Sequence, residues 1–201
     1  MIDGGRSGDL MALRWPRQGD SPFIRSARPR ENANVAPHPD ERMVMMITGY
    51  KLAADLLVER TKIDPYDRDA LVCPTLFNYR QFIELWLEAI IATYGPFVGI
   101  TANWKSHKLI PLWKDFSDVL EAYKIDDPTG ANPVAAGIVS QFAQVDPDSF
   151  SYRYPVDTKG NPIPVAHNQL DLSALADVMQ GLDMYFVGCD SCLDELQSAC
   201  Q

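Results

Sequence analysis

The chain has 201 residues, of which 46% are hydrophobic and 22% charged, and a chain of that length can bury about 70% of its unfolded surface in one compact domain. No apolar run approaches the ~20 residues that cross a bilayer, and the composition fits neither a membrane protein nor a wholly disordered chain. Eighteen basic against 27 acidic side chains give a net charge of −9, a field that repels phosphate and argues against general coating of nucleic acid while leaving room for a local basic groove.

The first thirty residues carry six arginines (Arg6, Arg14, Arg17, Arg25, Arg28, Arg30) against Asp3, Asp9 and Asp20, with neither a helical nor a strand period. This predicts a loosely ordered, Arg- and Pro-rich leader over residues 1–39, with Trp15 and Phe23 as anchoring points, ahead of a folded domain over 40–201. The leader lacks the apolar segment of a signal peptide, so the expected location is the cytoplasm. From Asp40 the apolar residues Met43, Ile47, Tyr50, Ala54 and Leu57 recur at helical spacing, which predicts a first helix over about 41–61. Ile63-Asp64-Pro65 leads to a second helix, about 74–94, ended by Gly95-Pro96.

A third helix is expected from near Ser106, with Pro111 in its first turn, and a fourth from an Asn132 cap and Pro133 to about Ala143. Residues 150–166 alternate and then turn through Asp157-Thr158-Lys159-Gly160-Asn161-Pro162, as a short extended arm or hairpin would. The last helix has the cleanest period. Leu172, Leu175, Met179, Leu182, Phe186, Cys189, Leu193 and Leu196 advance by alternating threes and fours, a seam that packs at a shallow angle on neighbouring helices. The fold class is therefore all-α, a helix bundle.

The second helix holds the most unusual charges. Arg80, Glu84 and Glu88 share an 80° arc, yet apolar residues surround them in every direction. Such charges belong to a polar seam, an interface or a pocket, or to a paired cluster exposed at one end of the bundle. His107, flanked by Lys105 and Lys108, is a candidate general base. Arg153 between Tyr152 and Tyr154 could stack a base or clamp a phosphate, or serve in interface packing. Cys189 and Cys192 have a CxxC spacing without the second pair that zinc requires, and Cys189 falls on the seam, so neither a metal centre nor a cofactor is expected. The phosphate-binding, nucleophile-elbow, zincin and EF-hand motifs are absent from the sequence.

Several short segments together resemble a known group. They are Trp15-Pro16, Gly49-Tyr50-Lys51-Leu52-Ala53-Ala54-Asp55-Leu56-Leu57, Tyr79-Arg80 with Glu84-Leu85, His107-Lys108-Leu109, and Tyr152-Arg153-Tyr154-Pro155. The chain resembles uncharacterised bacterial proteins with a HEPN-like (higher eukaryotes and prokaryotes nucleotide-binding) helical bundle. The resemblance implies a homodimer that binds a protein partner or RNA in a phage-defence or toxin–antitoxin setting, as a non-catalytic binding or regulatory module. A metal-independent ribonuclease with His107, Arg80 and Glu84 at its centre is the second reading, and a scaffold subunit the third. Active HEPN ribonucleases have an Arg and a following His separated by four to six residues, so that the Arg stands five to seven positions before the His. Here the positions before His107 hold Ala102, Thr101 and Ile100, those before His38 hold Ala33, Asn32 and Glu31, and those before His167 hold Pro162, Asn161 and Gly160. Only an arginine brought up by the fold could replace the motif. Arg80 precedes the end of its helix by some fourteen residues, which at 1.5 Å per residue predicts a separation of roughly 20 Å from His107 within one protomer.

Overall fold

The computed structural model describes residues 14–199, which divide into two units, one ending at Val35 and the other beginning at Ala36. In the first, Arg14 and Arg17 hold the side chain of Asp20, and the 3-10 turn Pro29–Glu31 is tied together by Ser26, Arg28 and Asn32. Trp15 and Phe23, expected as anchors, are both exposed. Arg6, Asp3 and Asp9 lie outside the described residues.

The second unit holds five helices: α1 (Pro39–Ile63), α2 (Arg68–Tyr94), α3 (Leu109–Ala122), α4 (Ala131–Val145) and α5 (Leu172–Ala199). The described residues contain no strand, and the arm at 150–166 is a loop closed by one antiparallel bridge between Val156 and Pro162. The all-α expectation thus holds. So does the order of the helices, although their ends differ. α2 begins six residues earlier than the Pro74 start, because Pro74 sits inside the helix, where Asn78 Nδ2 donates to its carbonyl.

α4 is not capped by Asn132. The Asp127 carboxylate accepts from the N–H groups of Ala131 and Asn132, and those bonds hold its pKa below the ordinary carboxylate value. Asn132 is instead turned towards α5, where its Oδ1 accepts from the Tyr185 hydroxyl at 2.8 Å.

α2 is the central element, packed against α1, α3 and α5, with α4 closing the circuit between α3 and α5. Its buried side chains include Tyr79, Phe82, Ile83, Leu87, Ile90 and Ile91, which leave it no wet face along its middle. α5 buries one stripe: Leu172, Met179, Leu182, Phe186, Cys189 and Leu193. The predicted seam is present from Leu172 to Leu193, with Leu175 only half-buried, and it lifts away at Leu196, which is exposed. Cys200, the next position of that seam, lies outside the described residues. Among the described helices none is long and apolar enough to cross a membrane.

The link between α2 and α3 positions everything that follows. The 3-10 turn Gly95–Val98 ends at Gly99, whose φ of 80° is in the left-handed region, and the N–H of Ile100 returns to the carbonyl of Gly95 at 2.8 Å. A Cβ on Gly95 would meet the Ile100 carbonyl oxygen at 2.6 Å, so only glycine fits this reversal. Residues 100–108 then run without helix to Lys108, the N-cap of α3.

Candidate functional site

Arg80 is fully buried at the middle of α2. Its Nη1 donates to Glu84 Oε2 at 2.5 Å, its Nη2 to the main-chain carbonyl of His107 at 2.8 Å and its Nε to the carbonyl of Asp146 at 3.2 Å. The carboxylate of Asp146, the C-cap of α4, is also buried, with Oδ2 3.4 Å from Arg80 Nε, at ion-pair range but outside hydrogen-bond geometry. One guanidinium therefore satisfies the exit of α4, the approach to α3 and a carboxylate of its own helix, which is why a charge can stand in this core.

Arg80 and His107 are in direct contact through the His107 main chain, and the roughly 20 Å separation expected from sequence is wrong. That expectation returned the chain only to the end of α2. Nine residues of non-helical chain reach up to about 30 Å, more than the ~21 Å from the helix end back to Arg80. The reversal at Gly95 and Gly99 turns residues 100–108 back along the helix they have just left.

Glu84 faces two ways. Oε2 is held by Arg80 and Oε1 lies 2.8 Å from Nδ1 of His107, while the carboxylate itself is buried. A carboxylate oxygen accepts, so Nδ1–H donates and Nε2 takes no part in that bond. The His107 side chain is 63% exposed, the part of this network most open to solvent.

Glu88, one turn further along α2, is 5% exposed, and its Oε1 is buried without a hydrogen-bond partner. Burial and, after it, the charge of Glu84 push its carboxyl up to about 7, with His107 acting in the other direction. One ligand atom from each of Glu84, Glu88 and His107 lies within 4.8 Å of the others.

The remaining predicted residues surround this centre. Lys105 and Lys108 are exposed, and Lys108 lies 3.6 Å from Asp148. The turn after α4 is built on Asp146, whose Oδ1 accepts from the N–H groups of Phe150 and Ser151. Ser149 takes a φ of 59°, unusual for a residue with a Cβ. Arg153 donates to the Ser149 carbonyl at 2.6 Å and its guanidinium stands over the rings of Phe77, Phe150 and Tyr154 at 5.7, 5.2 and 5.7 Å. It leaves Tyr152 to the core, where burial and then the charge of Asp146 push that phenol up to about 12.

The fold thus joins Arg80, Glu84 and His107 directly, and places Tyr152, Arg153 and Tyr154 on the turn that Arg80 holds by its first residue. Sequence reasoning saw Glu88 in the arc but gave it no role, and it missed Asp146. The i, i+4, i+8 spacing of Arg80, Glu84 and Glu88 was the available signal for the first. Nothing in the sequence pattern pairs Asp146 with Arg80, 66 residues away.

Comparison of the chain with family models, with curated proteins and with solved structures gives no match.

Proposed function

We propose that the protein is a HEPN-like helical module that binds RNA or a protein partner of nucleic-acid metabolism as a homodimer, in a defence or toxin–antitoxin setting. The observation that carries binding ahead of catalysis is the burial of Arg80. Its Nε, Nη1 and Nη2 each donate to Asp146, Glu84 or His107, and the guanidinium is fully buried, so it presents no surface to a phosphate. What the site offers to a partner is the exposed edge of His107 with Lys105 and Lys108 beside it in the chain. Arg153 and Tyr154 supply a cation and a ring on the turn that Asp146 caps. Such a patch is small against a net charge of −9, and it favours a local, salt-sensitive contact over extended binding along a strand.

A ribonuclease is the second reading, favoured by one feature: an exposed imidazole oriented by a buried carboxylate, the arrangement that prepares a general base. Fluorescence anisotropy with single-stranded and hairpin RNA, in chelator and across a salt series, tests both. Binding that weakens with salt, and whose salt slope falls by about 0.7 for each of Lys105→Ala and Lys108→Ala, supports an RNA-binding module. Absence of association at low salt removes RNA as the partner. Metal-free cleavage abolished by His107→Ala in a folded protein puts the enzyme reading first.

A further inference from the structure

The centre on α2 contains more negative charge than its own residues balance. Arg80 is one cation among three carboxylates, those of Glu84, Glu88 and Asp146. Glu84 and Asp146 each have a share of the guanidinium, whereas Glu88 Oε1 is enclosed with no donor at all. A buried carboxylate oxygen without a donor is costly, and evolution of an ordinary core removes it. The carboxylate that carries it is not isolated: one oxygen of Glu88, one of Glu84 and one ring nitrogen of His107 lie within 4.8 Å of one another.

We propose that Glu84, Glu88 and His107 form a binding site for a divalent transition-metal ion of the zinc, cobalt or manganese type. Two carboxylate oxygens and one imidazole nitrogen are a donor set suited to such ions, and too small and too nitrogen-bearing for calcium. The formal charges close: a divalent ion brings three carboxylates and one arginine to neutrality. The ligand atoms need to draw together for bonds of about 2.0–2.2 Å. The movement falls on His107, whose side chain is exposed and whose main chain stays anchored to Arg80. Its Nδ1–H bond to Glu84 Oε1 is given up on metal binding, with the ligating nitrogen deprotonated and the displaced proton passing to the other ring nitrogen or to solvent. Arg80 is the positioning residue, holding Glu84 Oε2 so that Oε1 presents to the ion. The open side of His107 leaves coordination positions for water or for a ligand oxygen. This inference stands apart from the RNA reading, since it uses no exposed lysine and no dimer.

The test uses the full chain, stripped with chelator and titrated separately with Co²⁺, Zn²⁺, Mn²⁺ and Mg²⁺ by calorimetry, with Co²⁺ absorption as a direct view of the ligand field. The expected result is one Co²⁺ or Zn²⁺ per chain, visible d–d bands, and weaker binding of Mg²⁺. Glu88→Gln preserves the shape of the buried site and should weaken binding at least about tenfold. His107→Ala changes an exposed side chain, keeps the fold measurable if the buried variant is lost, and should weaken binding similarly and shift the d–d bands. Asp118→Asn, on the surface of α3, is the control and should leave both readouts unchanged. Absence of stoichiometric binding overturns the site. So does binding that survives Glu88→Gln or His107→Ala undiminished, or that Asp118→Asn reduces as much. Because no RNA is present, the outcome is separable from that of the anisotropy series.

Discussion

α2 and α5 are nearly equal in length and both run through the core, yet they are built on opposite terms. α5 buries one apolar stripe and leaves Met184, Val187 and Ser191 outward, the economical way for a helix to contribute stability. α2 is enclosed almost all round and includes Arg80, Glu84 and Glu88 among its buried residues. Hydrophobic side chains at those three positions would fill the core without the desolvation cost of ions. The difference teaches where to look for function: the seam of α5 explains how the bundle holds, and the charged stripe of α2 is what holding alone does not require.

The comparison breaks most visibly at mid-seam. Leu182→Asp sets a carboxylate at a position that is 2% exposed, and should destabilise by about 4 kcal/mol or more, read by denaturant unfolding. A melt unchanged by it would remove the seam from the stability account. Next comes Arg80→Leu, which strands Glu84 and Asp146 and releases the carbonyls of His107 and Asp146. It should cost about 3–5 kcal/mol. A loss below 1 kcal/mol would mean that water already serves those groups.

Gly95→Ala comes third. The added methyl meets the Ile100 carbonyl, and relief of that clash should cost about 1–3 kcal/mol while displacing residues 100–108. Its sharper readout is the loss of the Glu84–His107 contact, observable as a changed His107 side-chain resonance. The mildest expectation is chemical. Cys189, on the seam, has a thiol pushed up to about 11 chiefly by burial, while Cys73 and Cys192 are exposed. At pH 8 a thiol reagent should modify Cys73 and Cys192 in the native state and reach Cys189 only on unfolding. Equal rates would place Cys189 outside the core.

The fold was legible in the sequence because its helices advertise themselves by period: α5 through its heptad, α3 through Leu109, Leu112, Phe116 and Leu120. Helix ends were less so, since Pro74 reads as a boundary and is an interior residue, and Asn132 reads as a cap while Asp127, four residues before the helix, does that work. In the site, Arg80, Glu84 and His107 were recognisable as unusual residues, and their union was not. That union depends on how far a coil travels after a glycine reversal, which no periodicity encodes. Asp146 was invisible for a related reason, its partnership with Arg80 being set by the placement of α4.

The central claim is that the charges of α2 are kept at a cost to stability, and Glu88 measures it most directly. Glu88→Met replaces a buried carboxylate that has an unpartnered oxygen by an apolar chain of similar length, in a helix position that is 5% exposed. By chemical denaturation in chelator at neutral pH, the variant should be more stable than the parent by about 1–2 kcal/mol. A variant less stable than the parent would contradict the account, by showing that the carboxylate of Glu88 is itself part of what holds the bundle together.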